Sequence, residues 1–217
     1  MNSLLTIEAK KMKKLYCDMD GVLVDFVAGA MKLVNTALAT PTKYGEWEEF
    51  KRLKERLKAE GRTHIEVMDL EKPEYRGVQA EETMPEARDF MKRLITEAGR
   101  DWWATLPWMS GGKTLWSYLT KNHDPHILSA PMEDCGGCKT GKLSWVKTNL
   151  GLEPYGKDKE KVILTDEKHV LAKNNVLIDD FKINTTPWNV AGGIAIIHEN
   201  AKETIANLKE VQKNANF

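Results

Sequence analysis

The segment YCDMDGVLVDF, residues Tyr16–Phe26, places two acids at the end of a short apolar run. Asp18 and Asp20 are two positions apart, and in an extended chain this spacing directs both side chains to the same side. Gly21 allows the chain to turn sharply directly afterwards. Two crowded carboxylates are costly unless they share a proton or a cation. A plain turn with two solvated acids is the alternative, but the flanking apolar residues favour an acidic site at the end of a buried strand.

Four further apolar runs resemble this one in length, and helix-forming segments lie between the last four. The five runs are KLYCD (14–18), HILSA (126–130), KVILT (161–165), VLIDD (176–180) and GIAIIH (193–198). Such alternation indicates a parallel sheet that is buried on both faces. The sequence therefore predicts a three-layer, Rossmann-like α/β fold with a five-stranded parallel sheet. Ligands bind beyond the carboxyl ends of such strands, where this chain has Asp18, Ser129, Thr165, Asp179 and Asp180.

A charged helical region separates the first two runs. EWEEFKRLKERLKAEG (46–61) has apolar residues on one helical face, and PEARDFMKRLITEAG (85–99) begins with proline in its first turn and ends at glycine. We expect residues 27–110 to form a helical cap domain, inserted after the first strand. Residues 1–26 and 111–217 are expected to form the α/β core domain.

The composition excludes several classes of protein. Lys and Arg together number 32, as do Asp and Glu, so there is no basic excess of the kind that long nucleic acids attract. The three cysteines are an odd number in a chain without a signal peptide, which disfavours a disulfide framework and favours a reducing cytoplasm. No apolar run has the length of a membrane span.

The segment DMDGVLVDF resembles the first motif of the haloacid dehalogenase (HAD) superfamily of phosphotransferases. The resemblance implies that Asp18 is a nucleophile that forms an aspartyl-phosphate, and that Asp20 is the general acid and then the general base. A carboxylate can attack phosphorus, and a second carboxyl can move the proton. Because a carboxylate and a phosphate repel each other, a hard divalent cation is needed, and Mg²⁺ is expected. An acid at position 20 argues against the dehalogenase branch, which lacks both this acid and the metal.

The segment VLIDDF (176–181) resembles the last motif of the same superfamily, in which paired acids follow a strand. The resemblance implies that Asp180 coordinates the metal directly, and that Asp179 does so through water or orients Lys142. The metal site is then formed by Asp18, by the backbone carbonyl of Asp20 and by these two acids.

The segment HILSAP (126–131) resembles the second motif, a strand that ends in Ser or Thr. The Ser129 hydroxyl and the N–H of Ala130 would hold a phosphoryl oxygen. Asp25, the third acid of the first motif, is at least as readily a helix cap as a catalytic residue.

The lysine of the third motif has two candidates, Lys139 and Lys142. The segments KLSWVKTNLG (142–151), VILTDEKHV (162–170) and VLIDD are similar to the 5'(3')-deoxyribonucleotidases, in which a lysine three residues before a Trp-Val pair neutralises the nucleophile and the phosphoryl group. This selects Lys142 and implies a nucleoside monophosphate as substrate. That subfamily tends to have Thr-Ser-Pro at the second motif, whereas Ala130 removes one hydroxyl here.

The aromatic segment DWWATLPW (101–108) follows the predicted cap. Trp102 and Trp103 could stack on a nucleobase, or they could form the buried hinge between cap and core; Trp108 has the same two alternatives. Lys168 could approach the phosphate, but a solvated helix start is favoured for it.

Three alternatives to a nucleotidase remain. The first is a HAD phosphatase for another small phosphate ester, such as a sugar phosphate, because fold and catalytic core are shared across substrates. The second is a P-loop kinase that uses GGCKTGK (136–142), although Leu143 stands where Ser or Thr is required. The third is a zinc module built on Cys135 and Cys138 with His123 and His126. The sequence is compatible with a monomer or a homodimer.

Overall fold

A five-stranded parallel sheet forms the centre of the molecule. The computed structural model describes residues 14–70 and 83–215, and the strands are β1 (Leu15–Cys17), β2 (Pro125–Ser129), β3 (Val162–Leu164), β4 (Val176–Asp179) and β5 (Ile194–Ile197). Their order is β3-β2-β1-β4-β5, so β1 lies between β2 and β4. The predicted α/β fold with five parallel strands is confirmed.

The central strand is buried on both faces, which explains its uninterrupted apolar sequence. Leu15 and Cys17 belong to the larger apolar cluster, whereas Tyr16 belongs to a smaller one with Leu177 and Trp188. The ring of Tyr16 meets the indole of Trp188 edge to face at 5.7 Å between centroids. Because the strands are parallel, their carboxyl ends meet at one edge of the sheet, as expected for the predicted site.

The chain between β1 and β2 is helical. Its helices are α1 (Phe26–Ala39), α2 (Pro41–Tyr44), α3 (Glu48–Ala59), α4 (Val67–Leu70), α5 (Pro85–Ala104) and α6 (Gly112–Asn122). Residues 27–110 include most of this segment, and their separation as a cap domain stays a prediction. Residues 1–13 of the predicted core and 71–82 of the predicted cap lie outside the described residues.

The remaining helices follow the later strands. They are α7 (Cys138–Leu150), α8 (Lys182–Val190) and α9 (Ala201–Ala215), together with short 3₁₀ helices at Lys159–Lys161 and Lys168–Leu171. None of the described helices is both long and apolar enough to cross a membrane.

Helix α5 is interrupted where the sequence predicts a helix end. Gly99 has φ 61° and ψ −147°, which is not helical, and the chain resumes helical geometry after it. The second part carries Trp102 and Trp103 and packs against α7. A side chain at Gly141 of α7 would place its Cβ 2.4 Å from the Cβ of Trp103, so only glycine permits this close approach.

Candidate active site

Asp18 follows β1 directly and is nearly buried. Its backbone N–H donates to the carbonyl of Ile178 at 2.9 Å, which ties it to β4. Its carboxylate accepts a hydrogen bond from the N–H of Met19 through Oδ1 at 2.7 Å and lies 2.9 Å from Lys168 Nζ through Oδ2. Both oxygens of the predicted nucleophile are therefore held in place.

A tight turn after Asp18 brings the first motif against the last one. The N–H groups of residues 22, 23 and 24 all donate to the carbonyl of Met19. Gly21 has φ +74°, and a Cβ at this position would lie 2.0 Å from Asp180 Oδ2. Glycine therefore gives both the positive φ and the space that the Asp180 carboxylate occupies. Asp25 accepts a hydrogen bond from the N–H of Ala28 and caps α1, which confirms one of its two predicted roles.

Two acids at the end of β4 complete a buried acidic cluster. One carboxylate oxygen each from Asp18, Asp179 and Asp180 lies within 4.8 Å of the other two. Asp179 is fully buried and accepts hydrogen bonds from the N–H of Phe181 at 2.9 Å and from Asn184 at 3.0 Å. Burial, followed by the neighbouring Asp18, raises the pKa of Asp179 to about 6.

Lys168 is a member of this cluster that sequence reasoning assigned to solvent. It is only 2% exposed, and its Nζ lies 2.9 Å from Asp18 Oδ2 and 2.6 Å from Asp179 Oδ2. Burial lowers the pKa of Lys168, but the two carboxylates raise it by more, so the net shift is upward. The prediction of a solvated helix start is wrong, because the 3₁₀ helix begins close to the carboxyl end of β3 and turns this lysine inward. The sequence feature that could have indicated this is the position of TDEK (165–168) directly after a predicted strand, at the edge of the sheet where the site lies.

Lys142 projects from α7 to the other side of the site. Its Nζ donates to Asp20 Oδ2 at 2.6 Å, to Ser129 Oγ at 3.0 Å and to the carbonyl of Ala130 at 2.8 Å. The structure thus brings Lys142 to Asp20 and Ser129, whereas the lysine paired with the predicted nucleophile Asp18 is Lys168. It places Asp179 with Lys168 instead of Lys142, so the expectation that Asp179 orients Lys142 is not met. Ala130 contributes its carbonyl to this network, whereas the sequence assigned a role to its N–H.

The tryptophans predicted to bind substrate lie behind the site, where the Trp103 ring is 5.4 Å from Lys142 Nζ. Trp103 is 2% exposed, donates its indole N–H to Cys135 Sγ at 3.4 Å and packs against Phe26. Trp102 is partly buried and meets Phe26 edge to face at 5.6 Å. Neither is among the described residues that line the cavity beside the acids: Trp103 packs between α5 and α7, and Trp102 packs against α1. A buried Trp103 cannot stack on a base, so the structure favours the predicted alternative, a packing role.

A cavity of about 370 Å³ opens beside Asp20 and Asp180. Its walls are mostly apolar, and the described lining residues include no Lys, Arg or His. They are Asp20, Gly21, Asp25, Phe26, Val27, Ala28, Met31, Val67, Leu70, Met91, Met109, Asp180 and Phe181.

The zinc module and the P-loop, the two alternatives that the sequence offers for residues Cys135–Lys142, lack structural support. Cys135 and Cys138 are buried free thiols, and among residues 14–70 and 83–215 no third His, Cys, Asp or Glu completes a metal group with them. Their sulfurs accept hydrogen bonds from Trp103 and from the N–H of Met132. Lys142 lies inside α7 with its amine on Asp20, so GGCKTGK does not form a phosphate-binding loop.

The acidic cluster suits a divalent cation. Carboxylate oxygens are the ligands that hard cations prefer, and three buried carboxylates this close repel one another unless they are compensated. Lys142 pairs with Asp20, and Lys168 pairs with Asp18 and Asp179. A divalent cation held by Asp18, Asp179 and Asp180 would offset the repulsion among these three carboxylates.

No family model and no curated protein matches the chain. Among solved structures, it is similar to a HAD-hydrolase, YfnB from Bacillus subtilis bound to magnesium, at 16% identity over 92% of this chain and 99% of that one, with a TM-score of 0.49. A HAD family enzyme from Bacteroides thetaiotaomicron has 17% identity over 92% and 99%, with a TM-score of 0.41. A HAD family hydrolase from Deinococcus radiodurans with bound phosphate and sodium has 14% identity over 87% and 80%, with a TM-score of 0.43. Because these sequence identities and TM-scores are low, the fold assignment rests on the observed strand order.

Proposed function

We propose that the chain is a Mg²⁺-dependent phosphomonoesterase that hydrolyses nucleoside monophosphates, with deoxyribonucleotides as the expected class, through an aspartyl-phosphate. The observation that carries the proposal is the convergence of two charge systems at one sheet edge. The first is the cluster of Asp18, Asp179 and Asp180, and the second joins Asp20, Lys142 and Ser129. We further propose a cytoplasmic monomer or homodimer, in keeping with its three free cysteines.

Asp18 has the properties that a nucleophile needs. Its carboxylate is fixed by Met19 and Lys168 at the carboxyl end of the central strand. Attack on phosphorus would transfer the phosphoryl group to Asp18 and release the alcohol, and water would then cleave the acyl phosphate.

Asp20 is placed to move the proton in both steps. Its side chain is 27% exposed, it lines the cavity, and one oxygen is hydrogen-bonded to Lys142. The carboxyl can donate a proton to the departing alcohol and afterwards accept one from the attacking water.

Asp18, Asp179, Asp180 and the carbonyl of Asp20 are the groups that would hold Mg²⁺. When bound, the cation would offset the charge of the phosphate and the carboxylates. On the opposite side, the Lys142 ammonium and the Ser129 hydroxyl, 3.0 Å apart, would donate to phosphoryl oxygens.

The cavity supports a nucleoside as the leaving group. Its volume is within the usual range for a small ligand, and its thioether and aromatic walls suit a flat, weakly polar group. The lack of a basic side chain among the described lining residues disfavours substrates with a second phosphate. A sugar phosphate remains the second candidate, since the catalytic groups would serve both.

The first test is phosphate release from a panel of nucleoside monophosphates and sugar phosphates, with Mg²⁺ and with EDTA. We expect activity on nucleotides with Mg²⁺ only, and we expect Asp18→Asn to abolish it while the circular dichroism spectrum stays unchanged. Asp101→Asn is the matched control, because the side chain of Asp101 is 85% exposed. Substantial turnover by Asp18→Asn would refute the mechanism, and preference for sugar phosphates would refute the substrate assignment.

A further inference from the structure

A second cavity, of about 770 Å³, opens at the amino ends of three neighbouring strands. Lys14 directly precedes β1, His126 is the second residue of β2, and Lys161 directly precedes β3; all three line the cavity. Since Asp18 follows β1, this cavity lies at the opposite edge of the sheet from the acidic cluster. Its volume is within the usual range for sites that bind small molecules.

The wall of this cavity is rich in lysine, although the chain as a whole has no net charge. The lysines and acids among its described lining residues are Lys14, Lys157, Lys159, Lys161, Asp124 and Glu160. Lys161 forms an ion pair with Asp124. The other three ammonium groups outnumber the remaining acid, so the cavity favours an anion.

The connection before β3 directs its lysines and most of its acids to different places. Residues 151–161, GLEPYGKDKEK, contain three lysines and three acids. All three lysines line the cavity. By contrast, Glu153 pairs with Lys147 at 3.0 Å, and Asp158 accepts a hydrogen bond from the N–H of Glu153 at 2.9 Å. A segment that is neutral in composition therefore presents mainly positive charge to the cavity.

The groups around the cavity are held by the fold. The N–H of Lys159 donates to the carbonyl of Gly156 at 3.2 Å, and the N–H of Lys161 donates to the carbonyl of Asp158 at 2.9 Å. His126 is buried, and its ring meets Tyr16 edge to face at 5.4 Å between centroids. Burial, followed by the neighbouring ammonium of Lys14, lowers the pKa of His126, so the imidazole is neutral at neutral pH and the lysines supply the charge.

We propose that this cavity is a second binding site, and that its ligand is a small molecule with two or more linked phosphates. Ammonium groups donate charge-assisted hydrogen bonds to phosphate oxygens, and several of them around one cavity suit a chain of phosphates better than a single phosphate. The cavity beside Asp20 and Asp180 has no basic residue among its described lining residues, so it does not compete for such a ligand. The inference goes beyond the proposed phosphatase function and does not depend on it.

The experiment measures binding to the full chain by calorimetry in EDTA, with inorganic tripolyphosphate, ATP and inorganic phosphate as ligands. We expect one tripolyphosphate or ATP per chain and no measurable binding of inorganic phosphate. Lys157→Gln combined with Lys159→Gln should weaken binding of tripolyphosphate by about tenfold or more, because two charged donors are lost. Lys92→Gln combined with Lys202→Gln is the matched control, since both lysines are exposed and neither lines the cavity.

The outcomes are decisive for the site. Equal affinities for tripolyphosphate and ATP would support recognition of the phosphates alone, and tighter binding of ATP would support a nucleotide ligand in the same cavity. The inference would be overturned if neither ligand bound, if the Lys157 and Lys159 variant bound as the wild type does, or if the control variant lost as much affinity. Because binding is measured directly and without Mg²⁺, a chain that released no phosphate from any ester would contradict the proposed function and leave this test unaffected.

Discussion

Replacement of Gly21 by alanine tests whether the two acidic motifs must touch. Gly21 has φ +74°, and an added Cβ would lie 2.0 Å from Asp180 Oδ2 and 2.5 Å from its Cγ. Non-bonded atoms essentially never approach a Cβ within 3.0 Å. The Asp180 carboxylate must therefore move by about 1 Å, or the turn must open by the same amount.

The expected effect on activity is larger than the effect on stability. A misplacement of about 1 Å in a catalytic group can cost about 100-fold in rate, so we expect a loss of this size in kcat/KM and weaker Mg²⁺ binding. The left-handed backbone conformation costs a residue with a Cβ about 1–2 kcal/mol, and the free energy of unfolding should fall by at least this much.

The chain contains matched controls that separate backbone strain from the clash. Gly61 has φ +69° and Gly151 has φ +68°, and a Cβ at either position would meet nothing within 4 Å. Gly61→Ala and Gly151→Ala should lose similar stability but keep full activity. Initial rates across a Mg²⁺ titration, with thermal unfolding of each variant, give both quantities. If Gly21→Ala kept the wild-type rate and Mg²⁺ dependence, the role given to the contact with Asp180 would be refuted.

Two further predictions concern buried side chains. Burial and Asp18 raise the pKa of Asp179 from 3.8 to about 6, so without metal its contribution to stability is fully present below about pH 4 and falls by about 3 kcal/mol as the pH rises through 6. Urea unfolding in EDTA should show this loss of stability in the wild type and not in Asp179→Asn. Parallel curves of stability against pH for the two proteins would contradict the prediction. Trp103→Phe should lose about 1 kcal/mol of stability with the hydrogen bond to Cys135 and keep the wild-type KM, whereas a KM that rises with little loss of stability would restore a substrate role for Trp103.

The features that could be predicted from sequence are those that a few consecutive residues determine. A strand that ends in Asp-x-Asp-Gly and another that ends in Asp-Asp each indicate a position at the sheet edge, and the parallel topology brings those positions together. The same argument leaves Lys139 and Lys142 open, because both lie at the start of α7, and only the resemblance to a known family favours Lys142.

The features that sequence reasoning missed depend on which way a segment turns after it leaves regular structure. TDEKHV is polar and predicts a solvated helix start, yet Lys168 is buried because its ammonium reaches the carboxylates of Asp18 and Asp179 at the ends of β1 and β4. Two adjacent tryptophans such as Trp102 and Trp103 are equally compatible with a ligand-binding surface and with the packed core. The backbone break at Gly99 and the close approach of Gly141 decide for the core, and neither is visible in local composition.

The distribution of charge also bears on the order in which ligands can enter. Both lysines of the acidic site, Lys142 and Lys168, are already paired with carboxylates of the chain, and Asp18, Asp179 and Asp180 form one buried acidic cluster. A phosphate dianion that approached this site would meet repulsion from Asp18 and would have to compete with Asp20 for Lys142. Inorganic phosphate should therefore bind measurably in Mg²⁺ and not in EDTA. Equal binding of phosphate under both conditions would mean that the lysines alone suffice to hold it, and would refute the need for a cation.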